Sequence, residues 1–332
     1  MDTLYIEQEV SDHPRVRAIR KRYPKAELIS CDRYGEVFNV RGQNFRWQKR
    51  KPSWILAKKH GRIVLPTPPD YGIGCEHNFY FSHILNCPYD CRYCFLQGMF
   101  RSAHQVWFVN YEDIQQAIDD TLAEYPEDES VGFFSGYDGD SLALENLTGF
   151  AEGFLPFFEK RPRAVLELRT KSVNVKALTN RKALNNVVVA FSLSPRQVAE
   201  KLEHGVPNID QRLKAMGKVA EQGWPIGLRL DPLIAQASFD EEYQQLIEEI
   251  FRIVKPEQVH SVTFGPMRFP EAMFDRISRL YPEEKLFAAG FEKRDDGLLT
   301  YAPEREREMR SSLHRLLSER LSGEKIFACL ES

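Results

Sequence analysis

Between Phe79 and Phe264 the chain alternates short apolar runs with stretches of helical period, and this alternation restricts the fold more than any other feature. The apolar runs are Phe79 to Leu85, Val131 to Phe134, Ala164 to Leu168, Val187 to Leu193, Ile226 to Leu230 and Val259 to Phe264. Between them, Ile114, Ala117, Ile118 and Leu122 fall on one helical face. Helices are also predicted over about 144–159, 173–178, 210–221 and 242–254. Val187-Val188-Val189-Ala190-Phe191 has no polar side, as expected of a strand covered on both faces. Six strands separated by helices cannot pair as hairpins, so they imply a parallel sheet.

The cysteines define the chemistry. Six are present, and three lie within eight residues, as Cys87-Pro-Tyr-Asp-Cys91-Arg-Tyr93-Cys94. No basic stretch followed by an apolar core opens the chain, so no secretion signal is expected. A disulfide framework is then disfavoured, and clustered thiols point to a metal. Structural zinc wants four closed ligands, commonly two Cys-x2-Cys pairs. Zinc completed by Cys75, His77 or His83, and a four-cysteine cluster using Cys75, remain alternatives at this level. A cubane with three thiolates keeps one iron open to a small molecule. The Cys-x3-Cys-x2-Cys spacing, with an aromatic before the third cysteine, resembles the signature of radical S-adenosylmethionine (SAM) enzymes. That resemblance implies a 4Fe-4S cluster on Cys87, Cys91 and Cys94, with SAM chelated by the open iron. Reductive cleavage of SAM would yield a 5′-deoxyadenosyl radical that abstracts hydrogen from substrate.

The same resemblance implies an α/β fold, a partial (β/α)6 TIM-type barrel with its cluster on the loop after the first strand. Chemistry in such barrels sits at the C-terminal strand ends. The candidate site is therefore Cys87–Cys94, Ser135–Asp140, Arg169, Lys171, Ser192, Ser194, Arg229, Asp231 and Arg268. Three units are expected: a basic N-terminal segment (1–71) packed on the barrel, the barrel itself (72–268) and a helical C-terminal extension (269–332). The charge run Glu304-Arg305-Glu306-Arg307-Glu308 reads as a solvated helix face.

Beyond the triplet, the chain resembles the spore photoproduct lyase family, whose activity is reversal of a thymine lesion in DNA. The resemblance rests on Cys91-Arg-Tyr93-Cys94-Phe95-Leu96-Gln97, Thr170-Lys171, Phe191-Ser192, Asp210-Gln-Arg212 and Gly223-Trp224-Pro225-Ile226-Gly227. It implies that Tyr93 lies beside the cluster and SAM, and that Ser135-Gly136-Tyr137-Asp138 receives the SAM amino group. It further implies that Lys171 pairs with the SAM carboxylate and that Ser192 and Ser194 reach the ribose. Two positions depart from the family. Tyr137 replaces the cysteine that returns hydrogen to the repaired thymine, and Phe95 replaces the second tyrosine of a hydrogen relay. Tyr137, Cys75 and Cys329 are the alternative hydrogen donors. The family's basic DNA-contacting hairpin corresponds here to Glu292–Leu298, with two added acids, Asp295 and Asp296.

Charge bears on partners. The net charge is −3, yet residues 15–62 hold 15 Lys and Arg against three acids, leaving −15 elsewhere. The chain is not a uniformly basic DNA coat, but it carries one basic segment. Within it, Phe45, Trp47 and Trp54 alternate with Arg46, Lys49, Arg50 and Lys51, a mixture suited to phosphates and unstacked bases. DNA or another nucleic acid through this segment and an external electron donor are the expected partners. No run is long enough to span a bilayer, and a cytoplasmic protein is expected. Two further readings stand beside lesion repair. One is a radical SAM enzyme that consumes SAM on another substrate. The other is a non-catalytic metal- or cluster-bearing nucleic-acid-binding protein.

Overall fold

The computed structural model describes residues 2–69 and 71–328. The alternation folds as a curled parallel sheet of six strands: β1 (His77–Phe81), β2 (Val131–Phe134), β3 (Ala164–Thr170), β4 (Val187–Ser192), β5 (Ile226–Leu233) and β6 (Val259–Pro266). Each pairs in parallel with the next in chain order. The partial (β/α)6 barrel is thus realised, with one extra strand on each edge. Val64–Pro66 adds antiparallel to β1, and Ile326–Ala328 adds parallel to β6.

Outward side chains of the sheet meet the helices. Phe150, Phe154 and Phe158 recur at i, i+4 and i+8 on one helix and are fully buried against Phe81 and Phe133. Each such burial stabilises by roughly 1.5–3 kcal/mol. Inside the barrel the filling is partly ionic. Arg229 and Glu167, both almost fully buried, form an ion pair at 2.7 Å, and Arg229 also donates to the carbonyl and hydroxyl of Ser261. Segment 71–75 runs alongside them, with Tyr71, Gly72 and Ile73 lining the same interior space. Ile73 packs on Phe134 and Val188, Tyr71 lies edge-on to Phe134, and Cys75 sits against Gly132 near the start of β2.

The flanking regions differ from expectation. The apolar run Phe79–Leu85 is two strands, because the chain turns after Phe81. Ile84–Leu85 joins a second sheet, pairing with Gln105–Phe108. That sheet is completed by Thr3–Glu7, Glu27–Cys31 and Trp54–Ala57. Strand pairing therefore crosses the expected boundary near residue 71 in both directions. The C-terminal extension is not purely helical. Besides helices Glu271–Leu280 and Pro303–Ser318, it holds a three-stranded antiparallel sheet (Arg268–Pro270, Leu298–Thr300, Glu292–Lys293) and the strand that covers the β6 edge. An uncovered sheet edge exposes unpaired backbone groups, which explains why the chain returns to cover it. The charge run lies on the last helix, where Arg305–Glu308 and Arg307–Glu304 pair at the surface while Glu306 turns inward to accept from Thr300. Among the described residues no helix is long and apolar enough to cross a membrane.

Candidate cluster and SAM site

The cysteine loop follows β1 and sits at the C-terminal end of the barrel. It is pinned by a two-residue ladder in which Cys91 opposes Glu203 and Asp90 opposes His204. Cys87, Cys91 and Cys94 line one cavity with Phe45, Lys49 and Gln97. Burial pushes all three thiols up, Cys87 to about 12 and Cys91 well above its ordinary value. Nearby cations oppose this: Lys49 acts on Cys87 and Cys94, and Lys171 on Cys91 and Cys94. Three desolvated thiols held together this way need a cation to become thiolates.

Spacing separates a cluster from a single ion. Sulfurs on one tetrahedral zinc lie about 3.8 Å apart, given Zn–S of about 2.3 Å. Among the described residues, one group of three potential ligand atoms falls mutually within 4.8 Å, and it is Glu76, His77 and Glu129, not the triplet. The proposed fourth zinc ligands are also occupied elsewhere. His77 faces Glu129 at 3.1 Å, and His83 is stacked on Phe150 with burial lowering it to about 3. Cys75 is packed under the barrel beside Gly132, with its thiol pushed up to about 11 by burial. These positions remove Cys75 as a cluster ligand or hydrogen donor at the opposite strand ends. Cys329 lies outside the described residues. The triplet fits a cluster with three protein ligands, and it fits zinc poorly.

The other expected residues divide into two groups. Lys171, Tyr93, Ser192 and Ser194 gather around the loop. The Lys171 ammonium is 5.5 Å from the centre of the Tyr93 ring. The Tyr93 hydroxyl donates to Glu203, which also pairs with Arg212 and accepts from Ser194 at 3.2 Å. Ser192 accepts from Arg169 at 3.4 Å through its hydroxyl and from Arg212 at 3.0 Å through its carbonyl. Burial would push the Glu203 carboxyl up, but Lys171, Arg212 and the Tyr93 hydroxyl outweigh it, and its pKa lies below the ordinary range. Sequence reasoning noted Arg212 only as part of a resemblance and missed Glu203. A carboxylate at a helix end carries no signal of its own.

The loop after β2 is more self-contained than expected. The Ser135 hydroxyl bonds Ser141 at 2.9 Å and donates to the Glu167 carbonyl at 2.9 Å. Asp138 accepts from Ser82, and burial raises its carboxyl. Asp140 clamps the loop to β3, accepting from Thr170 at 2.6 Å and from the Lys171 amide at 2.7 Å. A Cβ on Gly136 would stand 2.8 Å from Arg169 Cβ, so only glycine lets this loop lie on β3. Tyr137 stacks on Tyr80 at 4.3 Å, meets Phe95 at 5.9 Å and lies edge-on to Tyr71 at 6.2 Å. Burial raises its phenol. Asp231 joins Arg169 and Arg268 at the mouth, at 3.8 Å and 3.4 Å. Arg229 lies deeper, in the barrel interior with Glu167, and is not at the mouth.

Cations of the basic segment are largely engaged within the protein. Arg15 pairs with Glu112, Arg33 and Lys58 with Glu9, Arg46 with Glu283, and Lys51 with Asp2. Phe45 is buried, Trp54 stands edge-on to Tyr23 and Trp107, and Trp47 is 68% exposed. The hairpin at Glu292–Thr300 forms, but Lys293 pairs with Glu271 and Arg294 with Asp296.

A partial parallel barrel carrying a three-cysteine loop after its first strand, with a lysine over that loop, defines a radical SAM enzyme. The model of the spore photoproduct lyase family matches residues 78–326, and the chain belongs to that family. It is similar to the spore photoproduct lyases of Bacillus subtilis (strain 168), 24% identical over 290 residues, and of Geobacillus sp. (strain Y412MC61), 27% identical over 296. In both comparisons 85% of this chain and 83% of the relative are covered. A doubly substituted spore photoproduct lyase, solved with bound AdoMet and a dinucleoside spore photoproduct, shares the fold over 100% of this chain and 98% of its own, with a TM-score of 0.85 at 19% identity. Membership of this family gives the chain a 4Fe-4S cluster and SAM as its cofactors.

Proposed function

We propose that this enzyme acts on a thymine lesion of the spore photoproduct type in DNA, with Cys87, Cys91 and Cys94 holding the cluster. When bound, the cluster and SAM supply a 5′-deoxyadenosyl radical that abstracts a hydrogen atom from the substrate. Lys171, whose charge acts on Cys91 and Cys94, pairs with the SAM carboxylate, and Ser192 and Ser194 line the ribose side. Gly136 keeps the loop after β2 low enough for SAM to approach. Tyr93 packs beside the cluster, held by Glu203.

The observation carrying the lesion reading is membership of the family over residues 78–326, and the hydrogen return falls to Tyr137 at the end of β2, its ring among those of Tyr80, Tyr71 and Phe95 at the mouth. After lesion cleavage the product radical takes the hydrogen atom from Tyr137 Oη. The resulting phenoxyl is returned to phenol by one electron and one proton from an external one-electron donor. Phe95 has no O–H to continue a relay, so SAM is consumed and not regenerated.

Anaerobically reconstituted protein, given SAM, reductant and photoproduct-containing DNA, should restore the two thymine residues within the strand with about one 5′-deoxyadenosine per repair event. Normal SAM cleavage without repair would remove the lesion assignment and favour the second reading, a different substrate. Repair with far fewer 5′-deoxyadenosines than events would sink the consumption step and Tyr137 as terminal donor.

DNA binding by the basic segment falls to its outward residues. The Arg50 guanidinium stands 5.9 Å from the centre of the Trp47 ring on one helix, and Arg41 of the same basic segment is exposed. Arg41→Glu with Arg50→Glu should weaken binding of single- or double-stranded DNA. On duplex DNA it should also reduce the slope of log K against log salt by about 0.9 for each phosphate that is no longer neutralised. An unchanged slope would place DNA elsewhere.

A further inference from the structure

We infer that Lys49 is a positioning residue for the cluster, fixing the backbone of the cysteine loop and setting the field at its first thiolate. This rests on the triplet as the cluster's ligands, which Cys91→Ala tests separately.

The short helix Phe45–Arg50 is built to deliver this one ammonium. Asn44 caps it, accepting from the Trp47 amide at 3.0 Å. Phe45 is buried beneath it. Arg46 reaches Glu283 at 2.6 Å and lies over Tyr281. Gln48 accepts from the Ala103 amide at 2.9 Å. Lys49 follows Phe45 by four residues, hence the same face, while Trp47 points the other way. The Lys49 ammonium donates to the Cys87 carbonyl at 2.8 Å and to the Tyr89 carbonyl at 2.7 Å. Both carbonyls belong to the stretch between the first two cysteines, and Lys49 lines the cavity of the three thiols.

The far side of the loop is held by a different side chain. Tyr281 donates to Asp90 or Gln97, each at 3.2 Å, and its ring carries the Arg92 guanidinium at 3.9 Å. Tyr281 thus fixes geometry with a neutral hydroxyl, whereas Lys49 adds a full positive charge. A cation beside a thiolate favours the reduced, more negative cluster, because hydrogen bonds and net charge near the sulfurs set its potential. Partners just outside the ligand shell commonly change metal affinity 10–100-fold when removed. Lys49 sits in a basic stretch, yet both its bonds are to this chain's own backbone. It is therefore unsuited to nucleic acid.

The test uses full-length reconstituted protein without substrate, in Lys49→Gln, Lys49→Met and Lys49→Arg forms. Two quantities are read: the cluster midpoint by redox titration, followed by its paramagnetic signal, and the rate of iron release to a chelator. Lys49→Gln should lower the reduced-to-oxidised ratio at fixed poise about tenfold, equivalent to about 59 mV for one electron. Iron release should accelerate by about tenfold. Lys49→Arg should restore both, since it keeps the charge and can donate to two carbonyls. If Lys49→Met does not fold, the Gln and Arg forms still decide. A Gln variant with the parent's midpoint and release rate overturns the inference. An Arg variant that behaves like Gln overturns the role of charge.

Discussion

Cys91→Ala should leave a folded protein that takes up neither iron nor sulfide on anaerobic reconstitution and cleaves no SAM. Of the three cysteines, Cys91 is the most enclosed, 6% exposed and paired through its backbone with Glu203. Alanine keeps that ladder and removes one sulfur, so the sheet pairing around the loop survives. The metal site does not, because a cubane retained by two protein thiolates leaves two irons open. Loss of a direct ligand should exceed the roughly 10–100-fold penalty typical of outer partners. The expected result is a flat visible spectrum above the aromatic band, iron at background, and far-UV dichroism matching the parent. A full cluster on Cys91→Ala would show that another side chain ligates. Cys75 is a poor replacement, since it lies against Gly132 beneath the barrel.

Much of this site could be read from residue order. Strand–helix alternation imposes a parallel sheet whatever the loops do, and the thiol spacing restricts the metal. Sheet membership was not legible in Ile84 and Leu85. An apolar pair records burial but not its neighbour, and these two leave the barrel for the sheet beside it. The C-terminal strand Ile326–Ala328 was missed for a related reason: an edge strand of three residues has no period to detect. Charge misled in the basic segment. A count of cations cannot reveal that Arg46 serves Glu283, Lys51 serves Asp2 and Lys49 serves two carbonyls. Ser135 and Asp138 were chosen as polar residues past a strand end, and both spend their polar atoms on neighbours, Ser141 and Ser82. Polar residues at a strand end have to satisfy the loop before they serve a ligand.

Glu203→Ala should be the most destabilising change near the site. Arg212 is fully buried, and among the described residues Glu203 is its carboxylate partner, supplemented by the carbonyls of Pro207 at 2.9 Å and Ser192 at 3.0 Å. Removing the carboxylate leaves a buried guanidinium uncompensated and takes the acceptor from the Tyr93 and Ser194 hydroxyls. Breaking one side of such a pair costs about 3–5 kcal/mol, a loss expected in chemical denaturation. Adding Arg212→Met should recover part of the loss, because no bare charge then remains. Acidity gives a second handle. The Glu203 carboxyl is held below its ordinary pKa, so the native state binds fewer protons than the unfolded chain. The stability it contributes is present above the unfolded carboxyl pKa of about 4.3 and is lost as pH falls through the lower folded value. The stability gap between parent and Glu203→Gln should therefore be full at pH 7 and close under acid. Tyr93 adjoins Cys94 in the chain and donates to the Glu203 carboxylate, so this side chain also braces the cluster loop. In Glu203→Ala, iron release to a chelator should quicken along with unfolding. A variant as stable as the parent, with the same iron release, would mean that Arg212 finds compensation without the carboxylate and that the loop is braced elsewhere.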